Sequence, residues 1–383
     1  MILKKRVYYL SGFDPRGARF YHRLFRDESK KSAILSGAQI STGKKKTLNK
    51  LITQWQIDSV WADQQSSTDY RFMMWDDIMK KYWVSSILLL VLKSIPMYWT
   101  HVKCGLFTKF RKVGKGPYIC SIYPLVFSAT ALLLTLIFAF LLYFVTNSFT
   151  NNIVISLFLA AIFSFFLMKL SVKLGEKIGV WWILQTYFFI SQWGQKPLVE
   201  LEHRINEFAE QIIQDQIESP AEEILLVGHC VGTIMAIAVI EKIISTNHDV
   251  LKNKLSVMTL GQCIPYLSYI PTANHFRTSL QKVVNNCSFP WFDMGARADP
   301  LCFQQISPAI ADGINVTKQN YPYRVVVKPY VMFSPERYKL LKNDKLKLHF
   351  QYLRAAEIKN DYDYFEIVTG PAKKLHQYIT NNN

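Results

Sequence analysis

The pentapeptide GHCVG at residues 228–232 places a cysteine between two glycines, and a cysteine in that setting is a candidate nucleophile. The apolar run EILLV at residues 223–227 comes directly before it and predicts a short buried strand. The mostly apolar residues 233–244 follow it and predict a helix. A strand, a G-x-C-x-G turn and a helix in this order form the pattern of a nucleophile elbow, with Cys230 at the position that serine occupies more often.

The residues around Cys230 suit a reactive thiol. Gly228 and Gly232 leave room for a tight turn, where larger side chains would collide with the strand and the helix. The positive end of the helix dipole favours the thiolate. We therefore predict that Cys230 attacks a carbonyl carbon, and that backbone N–H groups of the turn, including that of Val231, bind the developing oxyanion. A buried cysteine can also be only a small apolar side chain, so the sequence leaves that alternative open.

At these residues the chain resembles the α/β-hydrolase superfamily, and its cysteine elbow is similar to those of dienelactone hydrolases and polyhydroxyalkanoate synthases. That resemblance covers little beyond residues 225–232, so it implies a fold and a nucleophile rather than a substrate. Three further features are SGFDPRG at residues 11–17, WDD at 75–77 and HFQYL at 349–353. Together with the apolar segment described below, they resemble a group of poorly characterised bacterial membrane proteins with a hydrolase layout.

The resemblance implies the chain order nucleophile, acid, histidine. Asp299 follows a strand predicted at residues 291–294 and precedes a proline, which suits a loop at the end of that strand. Asp293 is the alternative acid, although it lies within the apolar run. His349 follows a strand predicted at residues 323–332 and is the candidate general base. The turn carboxylate and the histidine could equally have structural roles. Of the remaining downstream histidines, two precede the acid and one lies in the polar tail: His248, His275 and His376.

The second oxyanion donor in this fold comes from the loop after the superfamily's third strand. In this chain that loop corresponds to residues 11–17, which follow a strand predicted at residues 6–10, and the N–H of Gly12 or Phe13 is the candidate. Asp14 and Arg16 of the same loop could instead pair with each other. We expect His229, beside the nucleophile, to contribute packing or polarity on the oxyanion side.

Residues 116–168 contain no charged side chain, which indicates a segment buried in lipid. Residues 123–145 and 153–170 are long enough to cross a bilayer, and residues 146–152 form a polar connector. Basic residues flank the pair on one side only, which predicts a hairpin with both large segments in the cytosol. Residues 83–99 and 178–193 resemble interfacial or buried helices more than full spans.

Charge and cysteine usage limit the functional classes. Residues 1–117 carry a net charge of +14 and residues 169–383 a net charge of +3. Basic residues beside apolar spans favour contact with anionic lipid headgroups, and we expect no nucleic-acid partner. The six cysteines show no CxxC spacing, so we expect reduced thiols in a cytosolic setting and neither a metal nor a cofactor.

These observations predict an α/β protein with a mainly parallel, hydrolase-like sheet covered by helices and interrupted by a transmembrane helical hairpin. Residues 1–117 and 173–383 would form the two parts of the domain, and residues 118–172 the hairpin. The expected location is the bacterial inner membrane. The expected function is acyl transfer from an ester or thioester, with a lipid or an acyl carrier as substrate. The alternative is a non-catalytic membrane scaffold that keeps the hydrolase shell. The sequence does not indicate an oligomeric state.

Overall fold

One mixed sheet, with strands from both sides of the apolar segment, forms the centre of the computed structural model. The structure describes residues 2–246, 249–286, 288–304, 306–310, 314–316, 322–371 and 374–380; His248, Cys287 and the side chain of His376 lie outside this description. The strands are β1 (Leu3–Leu10), β2 (Gln39–Thr42), β3 (Lys46–Thr47), β4 (Ile52–Trp61), β5 (Gln64–Met73), β6 (Glu223–His229), β7 (Leu255–Leu260), β8 (Trp291–Gly295) and β9 (Tyr323–Val326).

The spatial order of the strands is β2-β4-β5-β1-β6-β7-β8-β9, with β3 paired to β4. Strands β5, β1, β6, β7, β8 and β9 run parallel to one another. Strands β2, β3 and β4 add antiparallel pairs at one edge. The chain therefore has the predicted α/β fold with a mostly parallel sheet. In the central pair Leu10 lies opposite Gly228, which brings the loop after β1 and the GHCVG turn to the same edge of the sheet.

Helices cover both faces of this sheet. They are α1 (Gly17–Ser36), α2 (Asp76–Tyr82), α3 (Ile87–Lys103), α4 (Leu106–Val113), α5 (Lys115–Thr150), α6 (Ile153–Lys177), α7 (Val180–Gln195), α8 (Val199–Glu218), α9 (Val231–Thr246), α10 (Ile264–Ser268), α11 (Asn274–Asn286), α12 (Pro329–Met332), α13 (Pro335–Asn343), α14 (Lys345–His349), α15 (Tyr364–Thr369) and α16 (Gln377–Thr380). Alternate residues of β6 pack on opposite faces, because successive strand side chains point to opposite sides. Ile224 and Leu226 pack with α7, α8 and α9, whereas Leu225 and Val227 pack with α1 and α15.

Two helices, α5 and α6, are long and apolar enough to cross a membrane, and most of their surface is not buried by the rest of the protein. The break between them is shorter than the predicted connector, because α5 continues to Thr150. The threonine hydroxyls of this polar stretch are hydrogen-bonded within the helix: Thr146 donates to the carbonyl of Leu142 (2.7 Å) and Thr150 to that of Thr146 (2.9 Å). Asn152 then caps α6 by accepting a hydrogen bond from the N–H of Val154 (3.0 Å).

The two other apolar stretches differ in their environments. Helix α7 is buried within the protein along most of its length. Helix α3 leaves an apolar side exposed, which is typical of a helix at the membrane interface; it includes Leu88, Leu92, Ile95 and Trp99. Helices α2 and α3 meet at a bend of 85°, and they would count as a third span only if the bent pair crossed the membrane together.

Three features of the sheet differ from the sequence prediction. The strand expected at residues 323–332 ends at Val326, and Pro329 begins a short helix because proline cannot donate a ladder hydrogen bond. Residues 70–75, whose apolar and aromatic side chains also predict a strand, coincide with the end of the longer β5, which finishes at Met73. Its hairpin partner β4 was not predicted.

Candidate active site

Cys230 occupies the single position between the end of β6 and the start of α9. Its backbone has a φ of 56°, in the left-handed region that residues other than glycine rarely adopt. A strained conformation of this kind costs about 1–3 kcal/mol and is often found at functional sites. Hydrogen bonds hold the turn in place: the N–H of Cys230 donates to the carbonyl of Leu260 (3.1 Å), and the N–H of Thr233 donates to the carbonyl of Cys230 (3.0 Å).

Glycine is required at positions 228 and 232, because backbone atoms of other residues lie very close to both positions. A Cβ atom on Gly228 would lie 2.4 Å from the carbonyl oxygen of Gly232. A Cβ atom on Gly232 would lie 2.1 Å from the carbonyl oxygen of Leu10 in β1. Both distances are far below a normal carbon–oxygen contact. The glycines therefore let α9 start directly against the central strands, which keeps the cysteine at the edge of the sheet.

A buried carboxylate and imidazole lie beside this turn. The His349 Nδ1 and Asp299 Oδ2 atoms are 2.7 Å apart, and both side chains are almost fully buried. Asp299 lies in the loop after β8, and His349 is the last residue of α14. The carboxylate also accepts hydrogen bonds from the hydroxyl of Tyr352 (3.1 Å, to Oδ2) and the N–H of Leu301 (3.0 Å, to Oδ1). These bonds fix the orientation of the carboxylate and, through it, of the imidazole.

The imidazole and the Cys230 thiol influence each other electrostatically. A hydrogen bond from Cys263 and the nearby positive charge of His349 lower the pKa of Cys230, although burial opposes this change. Burial also opposes the charging of His349, but the charges of Asp299 and Cys230 outweigh it and raise the pKa of the imidazole. His349 Nε2 is buried without a hydrogen bond of ordinary geometry. Catalytic hydrogen bonds are often loose before substrate binds, so this geometry is compatible with proton transfer.

The loop after β1 lies against the thiol. A Cβ atom on Gly12 would be 2.8 Å from the Cβ and 3.3 Å from the Sγ of Cys230, so only glycine fits there. The backbone N–H of Val231 points toward the sulfur and is one of the groups that lower its pKa. Phe13 is fully buried, and its ring stacks on that of Phe189 in α7 with centroids 4.4 Å apart. The loop backbone and the start of α9 thus approach the sulfur from two sides.

Asp14 and Arg16 form the ion pair that the sequence left as an alternative (2.6 Å). The Asp14 carboxylate also accepts a hydrogen bond from the hydroxyl of Tyr21 (2.9 Å). These contacts stabilise the loop that carries Gly12, and they place neither charged group of the pair on the thiol.

The other candidate residues have different surroundings. Asp293 is buried in β8, where it accepts a hydrogen bond from Thr259 (2.7 Å), and burial raises its pKa to about 7. The structure therefore brings Asp299, and not Asp293, to the imidazole. The His229 ring contacts the backbone carbonyl of His349 through Nε2 (3.1 Å), and burial together with the charge of His349 lowers its pKa. A neutral His229 that donates this hydrogen bond would help to position the chain at His349.

Two residues near the centre were not predicted as site residues. Cys263, which immediately precedes α10, supplies the hydrogen bond to Cys230 described above. Tyr352 holds the acid loop at two points, because its hydroxyl donates to Asp299 Oδ2 and accepts a hydrogen bond from the N–H of Ala296 (3.0 Å). Tyr352 belongs to the HFQYL motif, which the sequence singled out without assigning a role to the tyrosine.

Helix α7 and the base of the membrane helices enclose the centre. The Trp182 indole N–H donates to the carbonyl of Phe13 (3.1 Å), and its ring centroid is 6.2 Å from that of His349. A Cβ atom on Gly116, near the start of α5, would lie 3.0 Å from the Cα of Pro300, beside Asp299. Cys230 is only 5% exposed, so little of its side chain is open to solvent.

Within the described ranges, no cluster of three or more His, Cys, Asp and Glu side chains could hold a metal ion. Comparison with protein-family models, curated proteins and solved structures found no match to this chain.

Proposed function

We propose that this chain is a membrane-anchored acyl-transfer enzyme of the α/β-hydrolase type, with Cys230 as its nucleophile. One observation carries the proposal: Cys230 occupies a strained turn between a strand and a helix, next to an imidazole whose Nδ1 atom is 2.7 Å from a buried carboxylate oxygen. Cysteine, histidine and acid in this arrangement activate a thiol in acyl-transfer enzymes on several unrelated folds. The parallel order of β5, β1, β6, β7, β8 and β9, with the turn directly after β6, supports the hydrolase type.

The lowered pKa of Cys230 and the raised pKa of His349 favour a thiolate–imidazolium pair as the resting state. In the first step the thiolate attacks the carbonyl carbon of an ester or thioester and forms a carbon–sulfur bond. The backbone N–H groups of Val231 and of the Gly12 loop would bind the oxyanion that develops. His349 then gives its proton to the departing alcohol or thiol, and the acyl group remains on Cys230.

In the second step His349, now neutral, removes a proton from water or from an acceptor hydroxyl or thiol. The activated acceptor attacks the acyl carbon, and the carbon–sulfur bond breaks to restore the thiolate and the imidazolium. Asp299 keeps Nδ1 of the imidazole oriented throughout. Hydrolysis and transfer differ only in the acceptor, so the same residues serve both reactions.

The position of the centre suggests the source of the substrate. Gly116, near the start of α5, packs beside the acid loop, and Trp182 of α7, the helix after α6, donates a hydrogen bond to Phe13 in the loop next to the thiol. The reacting atoms would therefore lie near the membrane surface, on the side where the basic residues flank the hairpin. A substrate held by lipid, or delivered to the membrane by an acyl carrier, fits this location.

The decisive experiment is detection of an acyl-enzyme. Purified full-length protein in detergent would be incubated with a panel of short-chain esters and thioesters and examined by intact mass spectrometry. We expect a mass increase of one acyl group that maps to Cys230, is absent from Cys230→Ala and is retained in Cys104→Ala. If the protein is neither acylated by any compound of the panel or of a bacterial lipid extract nor able to turn one over, the non-catalytic scaffold becomes the better explanation. The enclosed position of Cys230 would favour it.

The topology can be tested independently. Reporter domains fused within residues 150–153 should report the outer compartment, and fusions at the C-terminus should report the cytosol. Because β1 and β6 pair directly, the two parts of the sheet must share a compartment. A cytosolic signal from the tip between α5 and α6 would contradict the membrane-hairpin interpretation.

A further inference from the structure

A cleft of about 540 Å³ opens beside the loop that carries Asp299. It lies at the ends of β8 and β9, which is the edge of the sheet that holds the candidate active site. Three basic residues line the cleft: Arg297 of the acid loop, Lys328 after β9 and Lys342 of α13. The rings of Tyr330 and Tyr338 complete its lining. The cleft is open to solvent, in contrast to the enclosed thiol.

The three cations of this cleft have no partners in the described part of the chain. Arg297, Lys328 and Lys342 are exposed, and none of them makes an ion pair or a side-chain hydrogen bond with another described residue. No aspartate or glutamate is among the described residues that line the cleft. Three positive charges that line one cleft repel one another, and an anion with several acceptor oxygens would relieve that repulsion.

The two tyrosines add hydrogen-bond donors that make the cleft better suited to a phosphate group than to a carboxylate or an apolar chain. Their ring centroids are 6.4 Å apart in an edge-on arrangement. Burial raises the pKa of Tyr338, so its hydroxyl remains a neutral hydrogen-bond donor. A guanidinium, two ammonium groups and phenolic hydroxyls together supply more donors than a carboxylate can accept. A phosphate monoester or diester presents a larger number of acceptor oxygens.

The position of Arg297 connects this cleft to both the reaction centre and the membrane. Arg297 is two residues before Asp299 in the same loop. It also lines a narrow gap whose opposite wall includes Gly114 and Gly116, at the base of α5. An anion held in the cleft would therefore lie next to the acid loop on one side and near the start of a membrane-spanning helix on the other.

We propose that the cleft formed by Arg297, Lys328 and Lys342 binds the phosphate group of the acyl donor. The inference rests on the proposed acyl-transfer function and specifies its substrate class as an acyl ester or thioester that carries a phosphate. Two sources share this chemistry: a phospholipid in the membrane and a soluble acyl thioester with a nucleotide phosphate. The cleft would hold the phosphate while the acyl carbonyl reaches the thiolate beneath α7.

Binding can be measured without catalysis. The full-length Cys230→Ala protein in a phosphate-free maltoside detergent would be titrated calorimetrically with dihexanoyl phosphatidic acid and, separately, with octanoyl coenzyme A. Dihexanoylglycerol, which lacks the phosphate, tests whether the acyl chains alone suffice. Arg297→Gln and Lys342→Gln would be added singly and together. Lys339→Gln is the matched control, because it removes an equal charge from α13 outside the cleft.

We expect one of the two phosphate compounds to bind and dihexanoylglycerol to bind at least tenfold more weakly. Each cleft substitution should weaken binding of the phosphate compound about tenfold, as for loss of one charge-assisted contact, and Lys339→Gln should leave it within about twofold. Binding of the lipid alone assigns the site to a membrane donor, and binding of the coenzyme A thioester alone assigns it to a soluble donor. If neither compound binds, or if the cleft variants bind as tightly as the control, the inference is wrong.

This test is separable from the test of the proposed function. If an acyl-enzyme forms on Cys230 and the cleft substitutions do not affect its formation, the proposed function stands and the phosphate site is wrong. Phosphate binding that depends on the cleft, in a protein whose Cys230 never becomes acylated, would reject the proposed function and with it the role of the cleft in holding an acyl donor.

Discussion

Replacing His349 with Gln should slow alkylation of Cys230 by iodoacetamide about two- to threefold at pH 6.5. The structure favours a thiolate at this pH, because the pKa of Cys230 is lowered by Cys263 and by the positive charge of His349. An ordinary thiol with a pKa of about 8.5 is only about 1% ionised at pH 6.5. Loss of the imidazolium therefore lowers the thiolate fraction of Cys230 by up to about 100-fold. The intrinsic nucleophilicity of a thiolate rises with its pKa, which returns about 40-fold for a rise from about 5 to about 8.5. The net loss is therefore about two- to threefold.

The assay is intact mass spectrometry over time, with peptide mapping to identify the labelled residue. His275→Gln, a change to a half-buried histidine on α11, is the control and should label like the unmodified protein. Raising the pH supplies an internal check. Labelling of the unmodified protein should change little from pH 6.5 to 9, since a lowered pKa leaves the thiol already ionised. Labelling of His349→Gln should rise steeply, and the difference between the two proteins should shrink or reverse.

Two results would refute this reasoning. In the first, His349→Gln would label as fast as the unmodified protein at pH 6.5. In the second, Cys263 or Cys302 would label before Cys230, although burial raises the pKa of each of these two thiols. Either result would mean that the imidazole does not activate the thiol.

Three further predictions concern the surroundings of the thiol. Asp299→Asn should slow acyl-enzyme turnover at least 100-fold, because the imidazole loses its orienting carboxylate. Asp293→Asn should change turnover less than threefold. Equal effects of the two substitutions in a steady-state assay would contradict the assignment of the acid. Gly12→Ala should abolish acylation, since its Cβ would lie 2.8 Å from the Cβ of Cys230, while circular dichroism should still show a folded protein. Trp182→Ala should increase the rate of Cys230 alkylation several-fold by opening the cover formed by α7; an unchanged rate would show that access lies elsewhere.

The features that local sequence could predict are those that depend on neighbouring residues. The glycines around Cys230 predicted the tight turn, and the position of Asp299 after an apolar run predicted a loop at the end of a strand. The apolar segment predicted helices long enough to cross a membrane. These features follow from backbone sterics and hydrophobic periodicity, which a short stretch of sequence already determines.

The remaining features depend on contacts between distant parts of the chain. Cys263 and Tyr352 acquire their contacts only when β7, α14 and the acid loop meet. The β4–β5 hairpin was missed because its turn contains Ala62, with a φ of 50°, where glycine or asparagine would have signalled the turn. Helix α7 resembled an interfacial helix by composition. The hydrogen bonds that Gln185 makes with the backbone N–H and carbonyl of Val84 (3.1 and 2.6 Å) satisfy one polar group of this buried helix.

The pairing of β1 with β6 has a consequence for biosynthesis. Leu10 lies opposite Gly228, so the first strand is made 218 positions before the strand that completes its pairing. At about 5–20 residues per second, the ribosome needs about 10–45 s to cover that distance, and both membrane helices emerge within this interval. Until then β1 keeps one unpaired edge, which is a site for aggregation or proteolysis. If α5 and α6 cross a bilayer, a nascent chain inserted with a single crossing would leave β1 and β6 on opposite sides of it. Completion of the sheet would then act as a checkpoint on membrane insertion, and misinserted chains would be left open to degradation.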